Sequence, residues 1–150
     1  MTKIVVLDTG PLGLVTNPLG SQEAQRCSEW MESLLERGRV VAIPEIADYE
    51  LRRELVRAHK ARGIQRLDAL KAALRYLPLD TWTMVKASEY WALARNMGRS
   101  TADDKALDGD VILAAQAARL HHSGEEAVIA TNNVGHLGLF TDARVWSEIR

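Results

Sequence analysis

Four polar side chains, Asp8, Glu50, Asp110 and Asn133, lie where predicted strands end or predicted helices begin. Asp8 directly follows an apolar, β-branched run, and Asn133 comes just after another one. Ligands of open parallel sheets bind outside the carboxyl ends of the strands. Because the helices that carry Glu50 and Asp110 would start near those ends, all four side chains can meet at one edge of a sheet.

Oxygen donors of this kind suit Mg²⁺ or Mn²⁺, which are held by a few carboxylates together with waters. Such an ion polarises a phosphoryl oxygen and activates a water for in-line attack. Simpler explanations exist for each carboxylate. Asp8 can be the N-cap of the next helix, and Asp110 can complement a helix dipole. Glu50 can pair with Arg53 or Arg57, so the residues alone leave both interpretations open.

The composition is that of an ordinary soluble protein, with 47% hydrophobic and 26% charged residues, and 150 residues predict one domain spanning 1–150. The single cysteine, Cys27, excludes an internal disulfide and a cysteine-based zinc site. The apolar run before Asp8 is too short for a signal peptide or a membrane span, so we expect a cytoplasmic protein without membrane contact. Aromatic residues are 5%, which argues against an extended base-stacking surface.

Charge is nearly balanced overall but not along the chain. The formal net charge is −1, which gives no global nucleic-acid signature. Between residues 51 and 75, however, eight Lys and Arg face two acidic residues, and Arg52, Arg53 and Arg57 follow Glu50 closely. This basic segment is either a solvated helix face or a surface that holds a nucleic-acid backbone. Asp48 is expected to face solvent or to pair with a neighbouring arginine.

Strand-like and helix-like patterns alternate along most of the chain. Strands are predicted at 4–7, 39–43, 76–79, 127–131 and 144–146, the third near a sheet edge because it contains Pro78. Helices are predicted at about 21–37, from Pro44 to Gly63, at 64–74, before Gly98 and from Asp108 onward. The order predicts an α/β protein, a three-layer α/β/α domain around a mostly parallel central sheet.

Two connecting segments are predicted to be loops. The first runs from Gly10 to Gly20, and the second covers residues 99–107. Asp108 would then cap the next helix and place Asp110 in its first turn, although Asp108 can equally be an additional metal ligand. His136, three residues after Asn133, is interpreted as structural.

Four segments, 5–12, 43–55, 107–117 and 129–137, resemble the PIN domain. The resemblance is closest to the VapC-like toxin ribonucleases of type II toxin–antitoxin systems. It covers nearly the whole chain, with the segments in the right order and spacing. Each segment alone is weakly specific, and the four together are strongly so.

The resemblance implies an α/β/α nuclease that cleaves RNA with Mg²⁺ or Mn²⁺ held by acidic residues. It places the three acids of the family at Asp8, Glu50 and Asp110, with Asp108 as a possible extra ligand. It also implies catalytic or supporting roles for the residues Thr9, Thr131 and Asn133.

Asn133 departs from family members that carry Asp at this position. A neutral amide weakens a second metal site, so we expect one tightly held ion. By resemblance, the partners are an RNA substrate, a small antitoxin protein and a second copy of the chain in a homodimer. The alternative, motivated by Asn133 and the near-neutral charge, is a catalytically weak PIN-like module that binds RNA or protein without cutting.

Overall fold

The computed structural model describes residues 2–17, 19–98 and 104–150. Within these residues the strands are β1 (Ile4–Leu7), β2 (Val41–Pro44), β3 (Arg75–Leu77), β4 (Ala127–Thr131) and β5 (Ala143–Val145). The α-helices are α1 (Thr9–Thr16), α2 (Gln22–Glu36), α3 (Glu45–Arg57), α4 (Ala61–Ala73), α5 (Thr81–Asn96) and α6 (Asp104–His122). Short 3₁₀ helices cover Gly135–Leu139 and Trp146–Glu148.

The strands form one sheet in the order β3-β2-β1-β4-β5, and every neighbouring pair is parallel. The strand nearest Pro78, β3, lies at an edge as predicted. β1 occupies the centre with β2 and β4 on either side, which brings the carboxyl ends of β1 and β4 together. The sequence therefore predicted the α/β class and the parallel sheet correctly.

Helices cover both faces of the sheet. Val5 and Leu7 of β1 belong to a core formed with α1, α2, α3 and α4, whereas Ile4 and Val6 pack in a core with α6. α5 packs against α6 in a third, smaller cluster that includes Ala94. Parallel strands buried on both faces need apolar residues at every position, which explains the uninterrupted run in β1. The predicted three-layer α/β/α arrangement is confirmed.

The predicted loop from Gly10 to Gly20 is wrong over its first half, because α1 begins at Thr9. Pro11 lies in the first turn, where a missing backbone N–H leaves no helical hydrogen bond unmade. A Cβ atom at Gly10 would overlap the side-chain amide of Asn132. The glycine that suggested a turn instead permits a close approach between α1 and the segment after β4.

The predicted helix from Pro44 to Gly63 is two helices. Pro44 ends β2, α3 stops at Arg57, and His59 adopts a positive φ of 56° before α4 begins. Gly63 lies inside α4, where a Cβ atom would come within 2.9 Å of Leu55 Cδ2 on α3. Gly63 therefore allows α3 and α4 to pack closely and does not terminate a helix.

Helix α6 begins earlier than predicted. It starts at Asp104, so the loop prediction is wrong for residues 104–107, while residues 99–103 lie outside the described part of the chain. Asp108 is consequently an interior helical residue and not an N-cap, and Asp110 lies in the second turn. Leu107 is fully buried and anchors this early part of the helix. None of the described helices is both long enough and apolar enough to cross a membrane.

A buried glutamine of α6 joins this helix to α3 and to β3. Gln116 of α6 accepts a hydrogen bond from the Ile46 backbone N–H at 3.1 Å through Oε1. It also donates one from Nε2 to the Leu77 carbonyl at 2.6 Å. These bonds connect α6 to the start of α3 and to the end of β3, so they hold α3 in its position relative to α6.

Replacing Gln116 with Met should lower the free energy of unfolding by about 2–3 kcal/mol, because a buried N–H and a buried C=O lose their partner. Urea unfolding followed by circular dichroism measures the loss. Gln65→Met on the exposed surface of α4 is the matched control and should change stability little. Equal stability of the two variants would contradict the role given to Gln116.

Candidate active site

Asp8 lies at the end of β1 and is held by two hydrogen bonds. Its Oδ1 accepts from the Thr9 backbone N–H at 2.7 Å, and its Oδ2 accepts from the Thr131 hydroxyl at 2.7 Å. The first bond makes Asp8 the N-cap of α1, and the second joins it to the end of β4. The N-cap and the strand-end interpretations are therefore both correct, and the carboxylate is fixed in orientation.

Glu50 of α3 reaches the same edge of the sheet. Its Oε1 accepts a hydrogen bond from the Thr9 hydroxyl at 2.9 Å. Pairing with the nearby arginines does not occur, since Arg57 forms its ion pair with Glu54 at 2.8 Å and Arg53 lies over the ring of Tyr49. The local interpretation of Glu50 is therefore wrong, and the carboxylate belongs to the site.

Helix α6 approaches Glu50 through a glycine. A Cβ atom at Gly109 would lie only 2.6 Å from Glu50 Oε2, which is closer than real Cβ contacts permit. The absent side chain leaves the room that the Glu50 carboxylate occupies. Gly109 is thus a site residue that sequence reasoning missed, although its position directly before Asp110 was a usable signal.

Asp110 projects from α6 toward the other carboxylates. Burial, as the largest cause, together with the charges of Asp8 and Glu50, raises the pKa of its carboxyl to about 6, against an opposing effect of His136. A residue that merely complemented a helix dipole would not have two carboxylates as electrostatic neighbours. The structure therefore brings Asp8, Glu50 and Asp110 together, as the sequence predicted.

Thr131 and Asn133 complete the edge from the β4 side. The buried Thr131 hydroxyl donates to Asp8 and accepts from the Asn133 backbone N–H at 3.2 Å. Asn133 is exposed and immediately precedes the 3₁₀ helix, where Gly135 has a positive φ of 43°. This tight turn holds the Asn133 side chain close to Gly135. Its amide Oδ1 lies 3.7 Å from the position that a Cβ atom would take at Gly135.

His136 is a second residue whose placement sequence reasoning missed. It lies half-buried in the 3₁₀ helix, which Leu137 anchors in the core shared with α6. It lies near enough to Asp110 to lower the pKa of that carboxyl electrostatically. The structural interpretation of His136 is incomplete, and its spacing of three residues from Asn133 was the signal that pointed here.

Asp108 does not join the other acids. Two residues before Asp110 on a helix, it projects about 160° away around the axis. Its side chain is exposed and lines a cavity of about 390 Å³ between α5 and α6, beside Met84 and Trp91. The expectation that Asp108 caps α6 is wrong, and this geometry does not support it as an additional metal ligand.

The three arginines assigned to a nucleic-acid backbone have different environments. Arg52 pairs with Asp48 and with Asp68, each at 2.9 Å, and lies about 160° around α3 from Glu50. The prediction for Arg52 is therefore corrected, because two carboxylates already neutralise its guanidinium. Arg53 and Arg57 are exposed and lie on the Glu50 side of α3.

Asp48 itself corrects another expectation. It pairs with an arginine as predicted, but it is only 5% exposed and does not face solvent. Its Oδ2 accepts a hydrogen bond from the Tyr76 hydroxyl at 2.7 Å. The buried carboxylate thus ties α3 to β3 and, through Arg52, to α4, which helps to fix the helix that carries Glu50.

The donor set fits a hard divalent cation in type and in charge. Three carboxylates, a threonine hydroxyl and an amide oxygen are ligands that Mg²⁺ and Mn²⁺ prefer. Among the described residues, however, no three His, Cys, Asp or Glu side chains lie close enough together to hold a metal ion between them. Asp8 and Glu50 instead accept hydrogen bonds from Thr9 and Thr131, so the fit is one of chemistry and not of a preformed ligand sphere.

Replacing Asp110 with Asn should stabilise the metal-free protein at neutral pH by on the order of 1 kcal/mol, after allowance for solvent screening. A folded-state pKa raised to about 6 means that the Asp110 carboxyl favours folding when protonated. That contribution is complete below the unfolded pKa and is lost as the pH rises through about 6.

The stability gain from Asp110→Asn should therefore be present at pH 7.5 and shrink toward pH 4. Urea unfolding in chelator at both pH values measures it. Asp108→Asn removes the same charge from the far side of α6 and should not show this pH-dependent gain. Destabilisation by Asp110→Asn at pH 7.5 would contradict the cost assigned to the ionised Asp110 carboxyl by its burial and by its two acidic neighbours.

The fold is shared with chains of several solved complexes. VapBC2 from Rickettsia felis, bound to a DNA fragment from their promoter, contains a chain with a TM-score of 0.73 and 17% identity, covering 95% of this chain and 98% of that one. A chain of DNA-bound VapBC from Salmonella typhimurium has a TM-score of 0.65 and 19% identity, covering 97% and 99%. A chain of VapBC-1 from nontypeable Haemophilus influenzae has a TM-score of 0.65 and 14% identity, and the match covers 97% of this chain and 99% of that one.

Neither a protein-family model nor a curated protein matches the sequence. The likeness therefore lies in three-dimensional structure, and it extends over nearly the full length of both chains in each comparison. At 14–19% identity, it establishes a common fold. The resemblance that the four sequence segments predicted is confirmed at this level, and the chain has a PIN-like α/β fold.

Proposed function

We propose that the protein is a Mg²⁺- or Mn²⁺-dependent endoribonuclease and the toxin member of a toxin–antitoxin pair. The observation that carries the proposal is the convergence of Asp8, Glu50 and Asp110 at the carboxyl edge of a parallel sheet. Burial and the charges of the other two carboxylates raise the pKa of Asp110, and a bound cation would offset both effects. The exposed Arg53 beside Glu50, which no described carboxylate pairs, supports a polyanionic substrate.

Each residue has a definite part in this proposal. Asp8, Glu50 and Asp110 would hold the ion, which polarises a phosphoryl oxygen and activates water when bound. Thr9 orients both Asp8, through its N–H, and Glu50, through its hydroxyl. Thr131 orients Asp8 from the opposite side, and the neutral Asn133 presents an amide where a fourth carboxylate would add repulsion.

The proposed partners follow from the resemblance and from the complexes that share the fold. Those structures are VapBC complexes, which supports a small antitoxin protein as a partner of this chain. We also propose a homodimer and a cytoplasmic location. RNA is the proposed substrate, held in part by Arg53 and Arg57.

A binding module that does not cut is the second candidate. Two observations favour it: the described carboxylates do not form a ready ligand group, and Asn133 replaces an acid. In such a module Asp8 and Glu50 would serve mainly to join the strand ends to α1 and α3. A test for metal-dependent cleavage separates the two candidates.

Purified protein should cleave a mixed pool of structured RNAs with Mn²⁺ or Mg²⁺ and should not cleave in chelator. Asp8→Asn and Asp110→Asn should each lower the rate by at least about a hundredfold, because each removes a charge that binds the ion. Gel analysis of end-labelled RNA measures cleavage, and circular dichroism confirms the fold of each variant.

Thermal unfolding with millimolar Mn²⁺ supplies an independent readout. A bound ion raises the melting temperature by mass action, by the equivalent of about 2.7 kcal/mol at a hundred times its dissociation constant. Full activity of both variants would refute the nuclease. Absence of both cleavage and metal stabilisation would favour the binding module.

Gly109→Ala should lower metal-dependent cleavage while leaving the fold intact. The new methyl group would come within 2.6 Å of the present position of Glu50 Oε2, so the end of that side chain must shift. Gly13→Ala in α1 is the matched control, since its Cβ would meet Leu51 Cδ1 at an ordinary 3.7 Å. The measurement is the cleavage rate of each variant, normalised to its folded fraction. Wild-type activity of Gly109→Ala would contradict the role given to the close approach between Gly109 and Glu50.

A further inference from the structure

An exposed aromatic residue lies next to the acidic site. Tyr49 immediately precedes Glu50 in α3, and 57% of its surface is accessible. The apolar core of the domain does not need this ring, because α3 packs inward through Ile46, Ala47, Leu51 and Leu55. An exposed ring beside a polar site has a second use as a surface for stacking.

Arg53 lies over this ring. Its guanidinium carbon is 5.1 Å from the ring centroid of Tyr49, one helical turn away on the same face. No ion pair joins Arg53 to a carboxylate of the described residues, in contrast to Arg52 and Arg57. Guanidinium planes and aromatic rings are the surfaces on which proteins stack unpaired bases of RNA.

The position of this pair relative to the carboxylates is set by helical geometry. Arg53 and Tyr49 lie about 60° and 100° around α3 from Glu50, on its solvent side. Arg57 lies about 20° from Glu50 and two turns further along the axis. A strand whose phosphate lies at the carboxylates would therefore place a neighbouring nucleotide against Tyr49 and Arg53, with Arg57 beyond them.

We propose that Tyr49 and Arg53 form a nucleobase platform that stacks an unpaired base of RNA next to the phosphate at the acidic site. The platform rests on the proposed function for its substrate class. One ring and one guanidinium suffice for a single base, so the low aromatic content of the chain is compatible with it. Stacking without edge contacts accepts any base, and the platform positions the strand without reading its sequence.

A protein partner is the competing occupant of this face, because Val56 is also exposed there. The unpaired charge of Arg53 favours RNA. An apolar protein interface would bury that guanidinium without a counter-charge, whereas RNA supplies phosphates.

The test measures binding of fluorescein-labelled octaadenylate, octauridylate and octacytidylate to the full chain in chelator, so that no metal-dependent cleavage intervenes. Tyr49→Ala should weaken binding about tenfold, the effect of losing one stacked base, and Tyr49→Phe should retain it. Trp91→Ala is the matched control, since Arg95 lies 4.9 Å over the ring of Trp91 on α5, away from the carboxylates. It should leave binding unchanged.

Inorganic polyphosphate, a polyanion without bases, separates stacking from charge. Its affinity should be the same for wild type and Tyr49→Ala. The platform is overturned if Tyr49→Ala binds all three octamers like wild type, if it loses polyphosphate affinity equally, or if wild type binds none of the octamers. A changed oligomeric mass of Tyr49→Ala with unchanged RNA affinity would assign Tyr49 to a protein interface and likewise overturn it.

Binding in chelator does not depend on catalysis, so the two proposals can fail separately. Loss of octamer binding in Tyr49→Ala together with absence of metal-dependent cleavage would refute the nuclease and support the platform. Cleavage that needs Asp8, with octamer binding unaffected by Tyr49→Ala, would support the nuclease and refute the platform.

Discussion

The cost of holding three carboxylates, Asp8, Glu50 and Asp110, at one partly buried sheet edge is the constraint on which the rest of the site depends. Burial first, and then the charges of Asp8 and Glu50, raise the pKa of Asp110 to about 6. Such a cluster persists only when the surrounding fold imposes it. Here the fully buried β1 and β4 fix the strand ends, and hydroxyl and backbone donors from Thr9 and Thr131 hold Asp8.

Close approaches between elements bring the charges together. Gly109 lets α6 lie against Glu50, and Gly10 lets α1 lie against Asn132, so both side chains keep positions that a methyl group would force them to leave. Gln116 connects α6 to the first turn of α3 and to the end of β3 through two buried hydrogen bonds. The site geometry is thus a property of how three helices meet one sheet edge, and small residues and one amide determine how near they come.

The sequence predicted the parts that depend on local pattern and on general rules of topology. Continuous apolar runs identified β1 and β4, and the rule for carboxyl ends of parallel strands then placed Asp8 and Asn133 together. The start of α6 and the existence of α1 were missed, because tertiary packing overrode glycine, proline and polar residues that locally favour loops. The directions in which two side chains point were not predicted either. Asp108 faces α5, and Arg52 is held by Asp48 and Asp68, which only the packing of helices determines.

An uncompensated acidic site repels the polyanion that it is proposed to cut. In a protein of net charge −1, attraction must come from a local surface, and the exposed Arg53, which no described carboxylate pairs, supplies it beside Glu50, whereas Arg57 is partly neutralised by Glu54. Neutralising the carboxylates with a cation removes the opposing field at the same edge. Metal and RNA should therefore bind with positive coupling, because each lowers the electrostatic free energy of adding the other. On this argument the neutral Asn133 and the adjacent His136 both moderate the negative field that the metal-free site presents to a phosphate.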